Sequence, residues 1–366
     1  NSQNKIISVI IPTYNEYKNL PKLLDQLLNL ETIFEKEIII VDDNSSDGTQ
    51  NLARIYSQND RRIRLISRLG RSGLSSAIKE GCLCASGDLI VIMDADGQHE
   101  PKSIINGLKK FDNKNIDITI GSRFLDESII KGLSSKRESG SSIANFLARF
   151  TLHSSYKKLT DYMTGFILLK RNSCIKYIEK IDVNGFKFLY ELLSLSKGKL
   201  TVIEIPLVFG FRKSGQSKLD LAVIWDFLIS LIHNFFGRII PRRAFSFALV
   251  GLIGVFVQMF VIYFLIGVTD LDFEKVLPVG VILAATSNYI INNILTFRSN
   301  KLSGKNFYFG LFKFLLVASL PIIANIGVAN LFYNQLSSNT FFAQIAGILV
   351  VFIWNYAASS RVVWNN

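Results

Sequence analysis

Cysteine and histidine are scarce in this sequence, so a framework built on disulfides or thiolate-bound metal is not expected. The 366 residues include only three of each, the cysteines being Cys82, Cys84 and Cys174. These three have no metal-binding or redox spacing, and three is a poor number for a disulfide framework. The amino-terminal segment also lacks the charged region and long apolar core of a cleaved signal. These absences favour a reduced, cytosolic soluble part.

Glycine-rich phosphate loops are also absent. The sequence contains neither Gly-x-Gly-x-x-Gly nor Gly-x-x-x-x-Gly-Lys-Ser/Thr, which argues against a dinucleotide dehydrogenase and a P-loop hydrolase. The net charge of +12 would suit a nucleic-acid binder. No zinc-finger spacing, RNA-recognition motif or basic helix accompanies that charge, so no nucleic-acid partner is expected.

Charge is missing from three long stretches in the last third of the chain, namely 245–269, 276–297 and 314–360. A bilayer-spanning helix needs about 20 such residues. The third stretch is long enough for two spans separated by the polar segment "NQLSSN". Four transmembrane helices are therefore predicted, at approximately 245–268, 276–297, 312–333 and 341–361.

Basic residues indicate the orientation of these helices. Arg242 and Arg243 precede the first span, several Lys and Arg lie in 298–313, and Arg361 follows the fourth span, whereas the other two loops carry a single Lys. By the positive-inside rule, the soluble part and both termini are predicted to be cytoplasmic. In a prokaryote the protein would lie in the plasma membrane.

The tail repeats itself with an offset of 67 residues. This shift places Phe247 on Phe314, the pair Asn288-Tyr289 on Asn355-Tyr356, and Phe297 on Trp364. Apolar segments often share Leu and Ile by chance, but they seldom share such a set in one register. The pattern predicts two duplicated helical hairpins.

The segment Leu219–Ile240 is apolar but contains Asp226 near its middle. Hydropathy leaves a fifth span open, because the apolar residues offset the cost of the acid. A fifth crossing would move Arg238, Arg242 and Arg243 to the outside or invert the soluble domain. We therefore predict an interfacial amphipathic helix, with a catalytic domain over 1–218, a linker over 219–243 and a membrane domain over 244–366.

Apolar runs in the first part of the chain end in polar clusters. Runs such as 7–11, 38–41 and 89–93 alternate with helical patterns, which predicts an α/β domain with a mostly parallel, covered sheet. The clusters "PTYNE", "DDNSSDG", "DADGQ" and "GSR" each follow a strand. Ligands bind beyond the carboxyl ends of the strands in such sheets, so the four clusters are expected to converge on one binding edge.

Asp94, Asp96 and Gln98 follow one of these strands at a spacing of two. In an extended chain, alternate residues point the same way. Mg²⁺ and Mn²⁺ prefer carboxylate oxygens together with substrate phosphates, so this triplet predicts a divalent metal site. A solvated Asp-rich turn is the alternative for the short motif taken alone.

The motifs "VIIPTYNE", "IIVDDNSSDGT", "GLSSAIKEG", "MDADGQH", "GSR", "TGF" and "FGFRKSGQSKL" occur in this order. Together they resemble glycosyltransferase family 2, in particular the dolichol-phosphate mannose synthases and polyprenyl-phosphate glucosyltransferases. The duplicated tail resembles a GtrA-like membrane domain. The resemblance implies a Rossmann-like GT-A catalytic domain that transfers a hexose, with inversion, from GDP-mannose or UDP-glucose to polyprenyl or dolichyl phosphate; mannose is preferred on family frequency.

The resemblance also implies roles for individual residues. The catalytic set is Asp96, Arg212, Asp161 and Glu191; the nucleotide-binding set is Pro12, Tyr14, Glu16, Asp42, Asp43, Asp94 and Lys218; the acceptor-phosphate set is Ser122, Arg123 and Arg137; and the metal ligands are Asp94, Asp96 and Gln98, for Mg²⁺ or Mn²⁺.

Several of these residues have a plainer alternative. Arg212 and Lys218 could be a basic juxtamembrane stretch attracted to anionic lipid, Asp43 could cap the turn that follows it, and Glu191 could be a helix-surface acid. The acceptor itself needs no catalytic base, because a phosphate monoester with a second pKa of about 6 arrives largely ionised.

Two other functions are open to this sequence. A processive polysaccharide synthase would be expected to carry Gln-x-x-Arg-Trp before its spans, and no such run occurs. A lipid-sugar flippase or membrane scaffold with a degenerate soluble part could use Asn288, Asn292 and Asn293 as a polar path. Asparagines inside a membrane more often bond neighbouring helices, so packing is the favoured role for these three.

Overall fold

The computed structural model describes residues 6–70, 73–112, 115–130, 135–182, 187–210, 221–269, 271, 273–319, 350 and 352–364. The chain divides into two compact units, Asn1–Asn234 and Phe235–Asn366. The strands of the first unit are β1 (Ile6–Thr13), β2 (Glu35–Asp42), β3 (Ile63–Ser67), β4 (Leu89–Ile92), β5 (Ile118–Ser122), β6 (Ile129–Ile130), β7 (Ile167–Lys170), β8 (Val202–Pro206) and β9 (Val208–Phe209). Its helices are α1 (Leu20–Leu28), α2 (Thr49–Asn59), α3 (Leu74–Cys84), α4 (Ser103–Lys110), α5 (Ser135–Thr151), α6 (Arg171–Ile178), α7 (Phe188–Ser196) and α8 (Leu221–Phe235).

Seven strands form one sheet in the order β3-β2-β1-β4-β7-β5-β8. All neighbours are parallel except β7, which runs antiparallel to both β4 and β5. Strands β6 and β9 pair separately. This mostly parallel sheet with one reversed strand confirms the predicted GT-A fold, although β3 and β7 were not predicted.

Both faces of the sheet are covered, which explains the continuous apolar runs of its central strands. Ile10 and Ile39 belong to one apolar cluster, while Val9 and Ile38 belong to the cluster on the other face. Neighbouring residues of a strand point to opposite faces, so each run has to be apolar at every position. The polar residues then appear only where the strands end.

Helix α8 lies within the segment predicted as an interfacial helix. One of its faces packs against the rest of the first unit. Phe227 and Leu231 join its apolar core, and the Phe227 ring lies 5.9 Å from that of Tyr190. Asn234 donates from Nδ2 to the carbonyl oxygen of Thr151 in α5 at 2.6 Å. Ile224 and Leu228, on another face of α8, remain exposed.

The second unit contains α9 (Arg242–Val268) and α10 (Phe273–Ile291), and is also helical over 305–319 and 352–358. Among the described residues, two helices are long and apolar enough to cross a membrane, Arg242–Val268 and Lys275–Thr296. They cover the first two predicted spans. Residues 320–333 of the third predicted span, and residues 341–349 and 351 of the fourth, lie outside the described residues.

The predicted duplication is visible in the contacts of the second unit. The rings of Phe247 and Tyr356 lie 5.7 Å apart, and so do those of their equivalents, Phe314 and Tyr289. The equivalent pair Phe297 and Trp364 stack on each other at 4.2 Å. Wide π-helical turns also occupy equivalent positions, 292–296 and 359–363. Reciprocal contacts of this kind arise when two repeats are related by an approximate two-fold axis.

The membrane asparagines divide into two groups. Asn293 is a packing residue as predicted, since its Oδ1 accepts from the amide of Leu302 at 2.8 Å and from Nε1 of Trp364 at 3.0 Å. Within the described part of the chain, the Oδ1 atoms of Asn288, Asn292 and Asn355 are buried without a hydrogen-bond partner. The packing interpretation is therefore confirmed for Asn293.

Candidate active site

The first two polar clusters meet at the carboxyl edge of the sheet, as expected from their positions after parallel strands. Thr13 at the end of β1 pairs in register with Asp42 at the end of β2, and its hydroxyl donates to Asp42 Oδ2 at 3.0 Å. Strand β4 lies on the other side of β1 and ends opposite Ile10, so Asp94 follows it near the end of β1. The loops that follow β1, β2 and β4 are therefore adjacent.

Asp42 and Asp43 support this edge in different ways. Asp42 is fully buried and accepts from the amide and hydroxyl of Ser45 at 3.0 and 2.6 Å, which caps the turn. Asp43 instead accepts from Arg68 Nη1 at 2.7 Å and from the amide of Gly73 at 2.9 Å, and so anchors the loop before α3.

The predicted nucleotide-binding residues of the first cluster lie in and after β1. Pro12 is buried in the strand, and Tyr14 and Glu16 are partly exposed in the loop. The amide of Glu16 donates to the hydroxyl of Thr49 at 2.9 Å, and its carboxylate accepts from Asn19 Nδ2 at 2.7 Å. These bonds fix the loop beside the start of α2.

The Asp-x-Asp-x-Gln triplet folds into a tight turn after β4. The amide of Gln98 donates to Asp96 Oδ1 at 3.0 Å, and its side-chain Nε2 donates to the carbonyl oxygen of Gly210 at 3.1 Å. The amide of Gly210 in turn donates to the carbonyl oxygen of Gln98 at 2.8 Å. The turn is thereby tied to the point where the chain leaves β9.

The chemistry of these donors fits a divalent cation that also binds substrate oxygens. Asp94 and Asp96 supply carboxylates, and because Nε2 of Gln98 is bonded to Gly210, the amide oxygen is the remaining acceptor of that side chain. No group of three or more His, Cys, Asp and Glu residues with metal-binding geometry occurs among the described residues. Two carboxylates and few protein ligands are typical of Mg²⁺ sites completed by phosphate and water.

His99 supports the turn through a hydrogen bond to its backbone. It is buried, its Nδ1 accepts from the amide of Asp94 at 3.2 Å, and its ring lies 5.7 Å from the rings of both Phe166 and Phe209. Because Nδ1 is an acceptor here, the ring is held in the tautomer with its proton on Nε2. His99 therefore positions the backbone of Asp94.

Gly165, in the segment before β7, leaves room for the Asp94 carboxylate. A Cβ atom at residue 165 would lie 2.6 Å from Asp94 Oδ2 and 3.0 Å from its Cγ. Such a contact is too short to be tolerated without movement. The glycine of the "TGF" motif is therefore required because of the carboxylate beside it.

Replacing Gly165 by alanine is expected to displace the Asp94 carboxylate and to reduce kcat/KM about a hundredfold, the cost of a displacement of about 1 Å in an active site. Steady-state turnover and thermal unfolding of the purified variant measure the effect. Gly140→Ala is the matched control, because a Cβ atom there meets nothing within 4 Å. Turnover of Gly165→Ala equal to that of Gly140→Ala would contradict this role for Gly165.

Arg123 and Asp161 form a buried, bidentate ion pair where β5 ends. Asp161 is fully buried, and its carboxylate accepts from Arg123 Nε at 2.7 Å and Nη2 at 2.9 Å. The amides of Arg123 and Met163 also donate to this carboxylate. Asp161 thus fixes the guanidinium, and three of the five N–H groups of Arg123 are not engaged in these two bonds.

Ser122, which precedes Arg123, is fully buried. Its hydroxyl lies 2.6 Å from that of Thr160, and the Thr160 hydroxyl donates to Glu204 Oε1 at 3.1 Å. Glu204 also accepts from the amides of Thr160 and Asp161 at 2.9 and 3.1 Å. Ser122 and Arg123 therefore share one support, the segment 160–161.

The remaining predicted residues are placed less completely. Glu191 is fully buried in α7, so the alternative that it is a helix-surface acid is wrong. Arg137 belongs to α5, but its side chain lies outside the described part of the chain. Arg212 and Lys218 also lie outside the described residues.

Three residues that hold the site in place were not predicted from the sequence, namely Arg68, His99 and Glu204. Arg68 pairs with Asp43 and with Glu80 at 2.7 and 3.0 Å. Glu204 had a visible signal, because it is an acid within the apolar strand sequence "VIEIP". Arg68 and His99 had none, since their partners depend on the tertiary fold.

Two family profiles match this chain. Residues 8–178 match glycosyl transferase family 2, and residues 246–364 match the GtrA/DPMS transmembrane domain. The two matches lie on either side of α8.

Relatives and solved structures extend the comparison. The dolichol-phosphate mannosyltransferase of Pyrococcus furiosus is 32% identical over 363 residues, which cover 98% of this chain and 99% of that protein. The dolichol-phosphate mannosyltransferase of Saccharomyces cerevisiae is 33% identical over 237 residues, covering 61% of this chain and 85% of that protein. Glucosyl-3-phosphoglycerate synthase of Mycobacterium tuberculosis, solved with phosphoglyceric acid, has a TM-score of 0.48 at 17% identity and covers 65% of this chain and 81% of that chain.

Proposed function

We propose that this chain, which belongs to the dolichol-phosphate mannosyltransferase group of glycosyltransferase family 2, transfers mannose from GDP-mannose to dolichyl or a related polyprenyl phosphate. The observation that carries the proposal is the identity of 32% with a dolichol-phosphate mannosyltransferase over 98% of the chain. The alignment spans both the catalytic unit and the membrane unit. The protein is therefore a membrane-bound glycosyltransferase.

The donor would bind at the edge formed by the loops after β1, β2 and β4. Asp42 and Asp43 hold the loops that would contact the nucleoside, together with Pro12, Tyr14 and Glu16. Arg212 and Lys218, which lie outside the described residues, are proposed to bind the diphosphate because the resemblance implies it and because Arg and Lys suit phosphate contacts.

Asp94, Asp96 and Gln98 would hold Mg²⁺ or Mn²⁺ beside the diphosphate. When bound, the ion would neutralise the charge that gathers on the leaving group. The residues of this chain prepare the site: His99 fixes the backbone of Asp94, and Gly165 leaves space for its carboxylate. Gln98 keeps the turn joined to Gly210.

The acceptor phosphate would bind to Arg123, with Arg137 as a second basic group. Arg suits this task because its guanidinium presents several donors in one plane to phosphate oxygens. Asp161 holds that plane in a fixed orientation. The phosphate oxygen attacks the anomeric carbon with its own charge, because it is largely ionised at neutral pH.

Two helices of the catalytic unit would place this site at the membrane surface. Ile143, Phe146 and Phe150 lie on one face of α5 and are each more than half exposed, and α8 exposes Ile224 and Leu228. Helices with such faces lie in the headgroup region of a bilayer. By the positive-inside rule, the basic residues that flank the spans favour a cytoplasmic position for the catalytic unit and both termini.

Purified full-length protein with dolichyl phosphate and Mn²⁺ tests the proposal. Radiolabelled GDP-mannose and UDP-glucose are supplied in parallel, and the label that enters the lipid phase is counted. We expect transfer from GDP-mannose only. Transfer from UDP-glucose alone would show a glucosyltransferase, and transfer from neither donor would reject the enzyme.

A further inference from the structure

Glu204 is an acid in the middle of a strand, and it does not touch the Asp-x-Asp turn. It lies on β8 opposite Ile120 of β5, two residues before Ser122 on the neighbouring strand. Its carboxylate accepts hydrogen bonds from the amide and hydroxyl of Thr160 and from the amide of Asp161. Among the described residues, Glu204 has no ion-pair partner within 4 Å, so these hydrogen bonds stabilise its charge.

The bonds to Glu204 fix the direction of a chain of hydroxyl groups. An ionised carboxylate only accepts, so the single proton of the Thr160 hydroxyl is directed to Glu204. The Ser122 hydroxyl lies 2.6 Å from the Thr160 oxygen and must therefore donate to it. Ser122 Oγ also accepts from the amide of Phe124 at 3.1 Å. The Ser122 hydroxyl therefore donates its single proton to Thr160 and has none left for a bound phosphate.

The same carboxylate acts on Arg123 through Asp161. Glu204 holds the Asp161 amide at 3.1 Å, and the Asp161 carboxylate holds Arg123 Nε and Nη2 at 2.7 and 2.9 Å. A shift of the 160–161 segment would turn the guanidinium with it. The guanidinium also lies 5.6 Å from the Phe209 ring on β9.

Resting on the proposed function, we infer that Glu204 is a positioning residue for the acceptor phosphate. It turns the Ser122 hydroxyl inward and holds Asp161 in place, so that the phosphate is bound by the N–H groups of Arg123 that Asp161 does not engage and not by the Ser122 hydroxyl. This assigns to Ser122 a supporting role in place of the direct phosphate contact implied by the resemblance.

If Glu204 served only to stabilise the fold, its replacement would be expected to lower the Tm. Burial raises the pKa of the Glu204 carboxyl, and the hydrogen bonds from Thr160 and Asp161 offset this only in part. Folding therefore favours the protonated form, and the stabilisation is present below the ordinary pKa and is lost as pH rises through the raised pKa. At neutral pH the ionised carboxylate costs folding free energy, so Glu204→Gln should not lower the Tm.

The test uses the full chain and the variants Glu204→Gln and Glu204→Ala. We expect the KM for dolichyl phosphate to be about tenfold higher in Glu204→Ala than in wild type, because the variant loses about one charge-assisted hydrogen bond that positions Asp161. The KM should rise to a smaller degree in Glu204→Gln. The KM for GDP-mannose should stay within about twofold of the wild-type value, because Glu204 does not contact the proposed donor site. Unchanged acceptor KM values, or equal changes for donor and acceptor, would overturn the inference.

Glu37→Gln is the matched control. Glu37 also accepts from several groups, Ser8 Oγ at 2.5 Å and the amide and hydroxyl of Ser86 at 3.0 Å each, but it lies at the other end of the sheet. The Glu37→Gln variant should change the Tm and should leave the acceptor KM equal to that of wild type. A raised acceptor KM in Glu37→Gln would assign the effect to general loosening of the fold and overturn the inference.

A binding measurement separates this inference from the proposed function. Calorimetry with farnesyl phosphate requires no turnover and reports on the acceptor site alone. Binding about tenfold weaker in Glu204→Ala than in wild type is expected, and equal binding would overturn the inference. Absence of mannose transfer in wild type would instead count against the proposed function.

Discussion

Replacing Asp96 by alanine is expected to reduce mannose transfer by about a thousandfold or more, the size of effect seen when charge stabilisation of a leaving group is lost. The change removes one of the two carboxylates of the proposed metal site. It also removes the acceptor for the amide of Gln98, so the turn that carries all three ligands loses a bond. Radiolabel transfer from GDP-mannose at saturating Mn²⁺ measures the loss.

Metal binding has to be measured separately from activity for this variant. Electron paramagnetic resonance of Mn²⁺ with GDP should show bound metal in wild type and little in Asp96→Ala. Asp112→Ala is the control, because Asp112 is a carboxylate at the end of α4 outside the site. If Asp96→Ala transferred mannose or bound metal as wild type does, Asp96 would not belong to the proposed metal site.

Replacing Arg123 by alanine is expected to cost about 3 to 5 kcal/mol of stability, because an ionised Asp161 would remain buried without its partner. Asp161 has no exposed surface, and its carboxylate would lose both bonds from the guanidinium and keep those from the amides of residues 123 and 163. Transfer should also fall, since the proposed phosphate-binding group is gone. Chemical unfolding and acceptor kinetics measure the two losses.

A double variant separates the two effects of Arg123. Arg123→Met with Asp161→Leu removes both charges, so stability should recover relative to Arg123→Ala while transfer stays low. Arg62→Ala is the control, because the pair of Arg62 with Asp60 is largely exposed and such pairs contribute less than about 1 kcal/mol. Recovery of transfer in the double variant, or equal destabilisation by Arg62→Ala, would contradict the assigned role.

The central strands could be predicted because burial on both faces leaves a continuous apolar run, as in 38–41 and 89–93. β3 escaped prediction because it sits at the sheet edge, where Arg64 is exposed within the run "IRLIS". β7 has only four residues, and its reversed direction depends on pairing with β4 and β5. Pairing between distant strands leaves no local pattern in a sequence.

The candidate site could be predicted where its parts are close in sequence. Asp94, Asp96 and Gln98 are two residues apart, so their common turn follows from local geometry. Arg123 and Asp161 were both singled out by resemblance, but their pairing was not foreseen because 38 residues separate them. The role of Glu204 required the contact of β8 with β5, which only the fold provides.

The stacked pair Phe297 and Trp364 lies where the two membrane repeats are related by rotation. Because each repeat contacts the other through matching residues, a lone hairpin could form the same contacts with a second copy of itself. Joining the two copies in one gene frees each to diverge: Asn293 of the first repeat bonds Leu302 and Trp364, whereas its counterpart in the second repeat is Ser360. An isolated hairpin of this tail should therefore assemble as a symmetric homodimer.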